Sequence, residues 1–221
     1  MFDAISPTYE RVNRCVSFGR DAAWRKAAVS AARLRDGDIV LDICCGTGDM
    51  IRAFAAAASA PKLLIGVDFS REMLSCGEYD ACPTPIRLIR ADGLRLPVAD
   101  GAVDVVSSAF GVRNFQDLDA GLREMRRVLR GGGRVVILEF ALPENPILRL
   151  GYRLYCEKVM PLAAAMISRD KTGAYRYLPS SIKTFERRGA MLECLRLVGF
   201  ERVRAKPMNL GGVVVYTGVR P

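Results

Sequence analysis

The strongest constraint on the fold is an alternation of strand and helix patterns that begins at residue 39. Short runs of β-branched and aliphatic residues are separated by longer helical segments, as in βαβ units, whose crossovers make the strands parallel. The last two runs are close enough to form an antiparallel pair at one edge. We therefore expect an α/β fold with a doubly wound, seven-stranded, mostly parallel sheet and an antiparallel last strand. The strand candidates are IVLDI, LLIGVD, IRLIRA, VDVVSSAF, RVVILEF, ERVRAK and GVVVYTGV.

The helical segments suggest how the chain is organised. The clearest helix covers residues 117–130, where Leu118, Leu122, Met125 and Leu129 recur at helical spacing, and glycines 131–133 are expected to stop it. A later helix is expected around residues 185–198. After the fifth strand, Asn145 and Pro146 are typical of an N-cap and a first helical residue. We expect a single domain over residues 1–221, with N-terminal helices in a leader at 1–36 and a helical insert at 143–182.

Composition excludes several kinds of chemistry. The chain has no histidine, which removes Ser–His and Cys–His catalysis and makes a catalytic zinc site improbable. Its seven cysteines are expected to be reduced and mostly buried. The formal net charge of +9 favours an anionic partner, either nucleic acid or a lipid surface. Residues 145–188 hold nine Lys and Arg against three acids, so much of the excess charge lies in the insert.

Neither a targeting segment nor a membrane span is apparent. Acids and arginines interrupt the first twenty-five residues, and the longest apolar runs are about half of the roughly 20 residues that a spanning helix needs. We therefore expect a cytoplasmic protein, with peripheral contact at the inner face of the membrane as a further hypothesis.

The stretch LDICCGTGDM, residues 41–50, contains the most informative motif. Adjacent cysteines without a Cys-x-x-Cys pair do not have the spacing of a zinc site. A dinucleotide fingerprint requires a third glycine where the chain has Ile51. The glycine turn is also flanked by Asp42 and Asp49, which would repel a pyrophosphate. A nucleoside that carries a positive charge fits the motif better.

Acidic residues recur at the ends of three successive strands. Asp42 ends the first strand, and Asp68 ends the second, 22 residues beyond Gly46, close to the spacing at which an acid reaches ribose hydroxyls. Asp92 follows the third strand, in a position to accept from an adenine amino group. Each acid alone could be a helix cap at an ordinary turn. Together with the glycine turn, which also offers the Thr47 hydroxyl and Gly48, they resemble the S-adenosylmethionine site of Rossmann-like methyltransferases.

A narrower resemblance covers nearly the whole chain. The segments YERVNRCVSFGRDAAWR, FGVRNFQD, ILEF and YRYLPSSIKTF resemble the ubiquinone/menaquinone biosynthesis C-methyltransferases, which act on prenylated quinols. The resemblance implies S-adenosyl-L-methionine as cofactor and C-methylation of a quinol, with demethylmenaquinol as the first candidate and a polyprenyl benzoquinol as the alternative. It leaves the oligomeric state open, and a homo-oligomer is one option. The cofactor residues that it implies are Asp42, Gly46, Thr47, Gly48, Asp68, Phe69, Met73, Asp92, Gly93 and Ala109, where the family often has serine at the last position.

The resemblance also places Arg113 and Asn114 at the reacting face. A hydroquinone becomes nucleophilic at carbon when one phenol, with a pKa near the ~10 of tyrosine, loses its proton. Arginine stays protonated in proteins, so we expect Arg113 to be a fixed cation that stabilises the phenolate. The proton acceptor is then a water or one of Tyr9, Asp92 and Tyr177.

Two questions stay open from the sequence. In the insert, Leu148, Tyr152, Tyr155, Val159 and Leu162 recur at helical spacing, which is typical either of a helix that covers a core or of a lid for a prenyl tail at an anionic bilayer. The basic excess could instead serve an RNA methyltransferase or an RNA-binding module. We expect no nucleic-acid partner, because the chain has no NPPY-type tetrapeptide and only one tryptophan.

Overall fold

A computed structural model describes residues 14, 17–77, 79, 82–159, 181–182, 185 and 187–221. Within these ranges, seven strands form one sheet in the order β3-β2-β1-β4-β5-β7-β6. The strands are β1 (Ile39–Ile43), β2 (Leu63–Asp68), β3 (Ile86–Arg90), β4 (Val103–Ala109), β5 (Leu129–Phe140), β6 (Glu201–Met208) and β7 (Val213–Val219).

The strand directions confirm the expected architecture. The first five strands pair in parallel, whereas β7 runs antiparallel to both β5 and β6. The last strand is therefore antiparallel, but it is not at the edge, because it lies between β5 and β6. The edges of the sheet are β3 and β6.

Helices cover both faces of the sheet. They are α1 (Asp21–Ala32), α2 (Asp49–Ala55), α3 (Arg71–Ser75), α4 (Leu118–Val128), α5 (Pro146–Leu154) and α6 (Arg188–Leu197), with 3₁₀ turns at Val112–Asn114 and Asn209–Gly211 and a π-helical turn at Tyr155–Val159. Val40 of β1 packs with α1 and α2, whereas Leu41 and Ile43 pack with α4 and α6. Since successive side chains of a strand point to opposite faces, β1 is buried on both.

The glycines at 131–133 do not end the preceding helix. α4 already ends at Val128, and β5 begins at Leu129 and contains all three glycines. Gly132 has a φ of 75°, which glycine adopts without steric penalty, and its N–H donates to the carbonyl oxygen of Arg220 at 2.8 Å. These residues therefore form backbone hydrogen bonds with the end of the chain instead of breaking a helix.

The other helix boundaries agree more closely with the sequence. Asn145 is the N-cap of α5, and its side chain accepts hydrogen bonds from the N–H groups of Ile147 and Leu148. The later helix begins at Arg188, three residues after Phe185, which lies in a bend. Within the ranges given above, no helix is long and apolar enough to span a bilayer. Tyr9, Leu162 and Tyr177 lie outside the described residues.

Candidate active site

A cavity of about 290 Å³ lies at the carboxyl ends of β1, β2 and β4. The sheet order reverses here, because β1 connects to β2 on one side and pairs with β4 on the other. Such a reversal leaves a crevice beyond the strand ends, where ligands bind in open α/β sheets. The described residues that line the cavity are Cys44, Gly46, Val67, Asp68, Phe69, Met73, Ala91, Asp92, Gly93, Leu94, Ala109, Phe110, Gly111, Asn114, Phe115 and Gln116.

The glycine turn after β1 forms one wall. Gly46 has a φ of 56° and lines the cavity. Gly48 has a φ of 85° and is the N-cap of α2, but a β-carbon added there would lie 2.3 Å from the ring of Tyr79, so it faces a packed side chain. Thr47 is buried, and its carbonyl oxygen accepts from Arg52 at 2.8 Å. Neither Thr47 nor Gly48 is among the lining residues.

Asp68 fixes this turn. One carboxylate oxygen accepts from the N–H of Gly46 at 2.8 Å, and the other accepts from the N–H of Ser70 at 2.9 Å. Ser70 in turn caps α3 by accepting from the N–H of Met73, which places the Met73 side chain at the cavity. An ionised carboxylate can accept about four hydrogen bonds, so these contacts are compatible with further bonds from ligand hydroxyls.

Asp42 lies beneath the turn and does not line the cavity. It is buried, and its carboxylate accepts a hydrogen bond from the Ser107 hydroxyl at 2.5 Å. Burial raises the pKa of Asp42 to about 7, although the bond from Ser107 opposes this shift. The structure therefore places Asp42 in a buried contact that joins β1 to β4.

The charge of Asp49 is compensated within the fold. Its two oxygens form ion pairs with Arg25 at 2.5 Å and with Arg52 at 2.6 Å. The repulsion of a pyrophosphate that was expected from Asp49 is therefore offset by these two arginines. The acids that do face the cavity are Asp68 and Asp92.

Asp92 is exposed beside the cavity, two residues beyond the end of β3. Its carboxylate accepts from the N–H of Leu94 at 2.9 Å, so it caps the local turn as well as lining the cavity. Gly93 next to it packs closely against Phe115, and an added β-carbon would lie 3.0 Å from that ring. Phe69, Met73 and Ala109 complete the set of predicted cofactor residues that reach the cavity.

Arg113 is not among the described lining residues and forms a buried ion pair. Its guanidinium contacts the fully buried carboxylate of Glu139 at 2.9 Å and donates to the carbonyl oxygen of Phe110 and to the Ser181 hydroxyl. It also lies 5.5 Å from the ring centroid of Phe140. Glu139 was not predicted, although an acid inside the apolar run VVILEF is a signal for a buried partner cation.

Asn114, like Asp92, is a predicted catalytic residue that lines the cavity, and it does so from the 3₁₀ turn. Its side-chain oxygen is buried and has no hydrogen-bond partner in the described part of the protein. A buried polar atom without a partner is costly, so this oxygen is suited to a ligand donor. Two further lining residues, Cys44 and Phe110, have φ values of 57° and 58°, which are uncommon outside glycine and tend to occur at functional sites.

These features fit a sulfonium nucleoside. The described walls include two carboxylates and no Lys or Arg, so the cavity favours a positively charged ligand. Ligand pockets usually measure about 300–1,000 Å³, and this one lies near the lower end. No cluster of three or more potential metal ligands occurs among the residues that the structure describes.

Comparison with known proteins extends this picture. The model of the ubiE/COQ5 methyltransferase family matches residues 1–220. A demethylmenaquinone methyltransferase of Thermus thermophilus is 39% identical over 100% of both chains. A ubiquinone/menaquinone biosynthesis C-methyltransferase of Geotalea uraniireducens is 38% identical over 99% of this chain and 94% of its own. A demethylmenaquinone methyltransferase of Bacteroides fragilis is 35% identical over 100% of this chain and 91% of its own.

Solved structures support the fold. A methyltransferase of Haloferax volcanii, solved with the activator Trm112, has a TM-score of 0.72 at 18% identity and covers 100% of this chain and 98% of its own. Phosphoethanolamine N-methyltransferase 2 of Haemonchus contortus, solved with S-adenosyl-L-methionine, has a TM-score of 0.64 at 14% identity and covers 89% of this chain and 52% of its own. At these identities the likeness establishes a Rossmann-like methyltransferase fold.

Proposed function

Because the chain belongs to the ubiE/COQ5 methyltransferase family, we propose that it is an S-adenosylmethionine-dependent C-methyltransferase that methylates the ring of a prenylated quinol. Demethylmenaquinol is the proposed substrate, since two of the full-length relatives are named demethylmenaquinone methyltransferase. One observation on this chain carries the proposal: the cavity at the switch point has Asp68 and Asp92 in its described walls and no cation.

The residues of the cavity suggest how it would bind the cofactor. S-adenosylmethionine supplies an electrophilic methyl group on a positively charged sulfur. Asp68 and Asp92 would accept hydrogen bonds from its polar groups, and Gly46 and Gly93 would allow it to approach the backbone. Phe69 and Met73 would supply apolar cover.

The quinol half has fewer described residues. A ring carbon becomes nucleophilic when the neighbouring hydroxyl ionises, so the site must bind that hydroxyl and remove its proton. The Asn114 side-chain oxygen, which is buried without a partner in the described part of the protein, would accept from the hydroxyl. Asp92 lines the cavity and is exposed, so it can pass a proton to solvent. Arg113 would act as a positioning residue, because its guanidinium is bound to Glu139 beneath the turn that carries Asn114.

We also propose that α5 rests on the membrane that holds the prenylated substrate. Tyr152 and Tyr155 pack inward around Ile182, which matches the helix-covers-core alternative for those residues. The opposite side of the helix exposes Ile147 by 81%, Leu150 by 61% and Leu154 by 53%.

These three side chains are spaced three and four residues apart and share one face. An exposed apolar helix face of this kind is typical of an interaction with a bilayer surface or a partner. Lys158, also exposed, follows within the π-helical turn. A basic residue adds about 1 kcal/mol of attraction to anionic lipid.

Methyl transfer can be tested directly with radiolabelled S-adenosylmethionine and the purified protein. We expect strong labelling of reduced demethylmenaquinol and little labelling of the oxidised quinone. A benzoquinol of the same tail length should take up less label than demethylmenaquinol. Label in RNA, or in no acceptor, would contradict the proposed reaction. Preferred labelling of the benzoquinol would support the proposed reaction but contradict the proposed substrate.

Membrane contact can be tested by flotation with vesicles that contain anionic lipid. The double substitution Leu150→Glu and Leu154→Glu should abolish flotation and leave methylation of a detergent-dispersed substrate within about two-fold. Leu197→Glu is a matched control, because Leu197 is 77% exposed at the C-terminal end of α6. Equal loss of flotation in the control variant, or no flotation of the wild type at low salt, would contradict the proposed membrane contact.

A further inference from the structure

A second, larger cleft lies on the face of the sheet that α1 covers. It has a volume of about 1040 Å³, and its floor is formed by Val215, Thr217 and Val219 of β7. The C-terminal half of α1 and the residues that follow it form one wall, and β6 forms another. The first half of β5 also borders the cleft. The cleft therefore lies near the amino-terminal end of β5, whereas the cofactor cavity lies at the carboxyl ends of the parallel strands.

The walls of this cleft are strongly basic. Glu201 is the one acid among the described lining residues, against seven cations: Arg33, Arg35, Arg134, Arg202, Arg204, Lys206 and Arg220. Arg134 pairs with Asp38, and Arg220 donates to main-chain carbonyls that include those of Arg126 and Arg127.

The other five cations have no side-chain ion pair or hydrogen bond within the described ranges. Like charges held close together raise the energy of the folded state unless an anion binds between them. The cleft is therefore suited to an anionic partner.

The edge strand indicates what kind of anion fits. Arg204 and Lys206 alternate along the regular part of β6 and line the cleft, whereas Val203 and Ala205 also pack on the core that contains α4 and α6. Arg202 lines the cleft too, but it has a φ of 51° and lies in the irregular part of the strand between Glu201 and Arg204. β6 is hydrogen-bonded only to β7 among the strands described, so its other edge presents unpaired main-chain groups between the irregularity at Glu201–Arg204 and Pro207, which has no N–H to donate. Such an edge can pair with an extended polypeptide.

We propose that an extended acidic segment of a partner protein adds to the sheet along the free edge of β6, with its acidic side chains directed toward the basic wall of this cleft. In such a segment, every second side chain would face the cleft, so acids at alternate positions would meet the cations of β6. A second copy of this chain is a poor partner for the same edge, because its own β6 carries the same positive charges.

Other anions match the cleft less well. A polynucleotide accepts through its phosphates but does not offer the alternating donors and acceptors of a strand, and no aromatic residue for base stacking is among the described lining residues. A bilayer is flat, whereas these cations line a concave cleft. The exposed apolar face that suits a bilayer is on α5, away from these walls.

The test uses the full chain and a fluorescein-labelled peptide of alternating Glu and Thr, with binding followed by anisotropy. We expect saturable binding that weakens as the salt concentration rises. A peptide of the same composition, with its Glu and Thr in two separate blocks, should bind more weakly by about ten-fold, because only half of its acids would face the cleft when it is extended as a strand.

Substitutions on β6 test the proposed binding edge, and a substitution on the opposite edge strand β3 is the control. The double change Arg204→Glu and Lys206→Glu should weaken binding of the alternating peptide by about ten-fold or more. Arg87→Glu, which alters an exposed arginine on the opposite edge strand β3, should change it by less than about two-fold. All variants should keep the circular dichroism spectrum of the wild type.

Three results would overturn the proposal. Equal binding of the alternating and block peptides would show that strand pairing plays no part. Tighter binding of single-stranded oligouridine, or of anionic vesicles, that is lost in the β6 variant would assign the cleft to a different partner. An equal loss of binding in Arg87→Glu would mean that net charge alone explains the binding.

Discussion

The carboxylate of Glu139 accepts hydrogen bonds from both the main-chain N–H of Arg113, at 3.3 Å, and its guanidinium, at 2.9 Å. Glu139 is fully buried at the end of β5, and burial raises the pKa of its carboxyl while the charge of Arg113 opposes that shift. One residue thus holds the whole 3₁₀ turn that carries Asn114 to the cavity. This relationship explains how the turn can keep a fixed position beside the cavity.

Replacement of Glu139 by glutamine should therefore impair both folding and turnover. The change leaves the Arg113 guanidinium buried without its counter-charge, which should lower the free energy of unfolding by about 3 kcal/mol. We expect kcat to fall by more than about ten-fold, with the Kd for S-adenosylhomocysteine within about three-fold of the wild type. Urea unfolding, steady-state kinetics and calorimetry measure the three quantities.

A double variant separates the positioning role from stability. Arg113→Met combined with Glu139→Gln removes both charges and should recover part of the lost stability, because a buried pair can often be replaced by uncharged residues. Turnover should stay low, since the turn has lost its anchor. Recovery of turnover together with stability would show that the pair serves only the fold.

Asp68→Asn should weaken cofactor binding. The amide has one acceptor oxygen, so it cannot accept from both Gly46 and Ser70, and its NH2 group would face a main-chain donor. A lost hydrogen bond of this kind costs about 1–3 kcal/mol, which would correspond to a rise in Kd of about five- to 150-fold. Calorimetry with S-adenosylhomocysteine measures it. Asp117→Asn is the control, because Asn replaces Asp well at the N-cap of α4.

The raised pKa of Asp42 predicts a specific pH dependence of stability. The folded value of about 7 exceeds the ordinary value of 3.8, so the folded state binds this proton more tightly than the unfolded chain. That stabilisation is fully present below about pH 4 and is lost as the pH rises through about 7. Asp42→Asn mimics the protonated acid. Its stability relative to the wild type should therefore increase between about pH 4 and pH 7, by up to about 4 kcal/mol. Urea unfolding over this range measures the difference, and a flat difference would contradict the shift.

The sequence predicted the parts of the site that depend on local pattern. Strand ends, the glycine turn and the acids Asp68 and Asp92 follow from periodicity and spacing along the chain, and the structure brings these residues to one cavity. The pairings that join distant segments could not be predicted in the same way. Asp49 is compensated by Arg25, and Arg113 by Glu139, because of tertiary contacts that no spacing rule encodes. The role of the glycines at 131–133 could not be predicted for the same reason, since Gly132 and Gly133 form hydrogen bonds with the distant Arg220.

Gly111→Ala should disrupt the cavity wall through sterics alone. A β-carbon there would lie 2.4 Å from the β-carbon of Cys44 and 2.8 Å from the Ser108 hydroxyl oxygen, although the φ of Gly111 is −108° and carries no strain. We expect a loss of about 1–3 kcal/mol of stability and weaker cofactor binding.

Gly151→Ala is the matched control for this change. Nothing lies within 4 Å of its added β-carbon, and it is exposed inside α5. Alanine should therefore stabilise the protein by about 0.5–1 kcal/mol. Thermal unfolding distinguishes the two variants, and equal destabilisation by both would contradict the packing argument.

Asn114 offers the sharpest test of the quinol site. Its side-chain oxygen is buried at the cavity without a described partner, whereas its main-chain N–H is held by the carbonyl oxygen of Gly111 at 3.0 Å. Asn114→Ala removes the acceptor and keeps the turn, so kcat/KM for the quinol should fall by about ten- to one-hundred-fold with cofactor affinity nearly unchanged. Asn114→Asp keeps an acceptor oxygen but adds a negative charge beside a phenolate, so it should lower kcat further than alanine does. Steady-state kinetics in both variants, with calorimetry for the cofactor, measure these effects. An Asp variant that is as active as the wild type would mean that no negative charge develops near this residue.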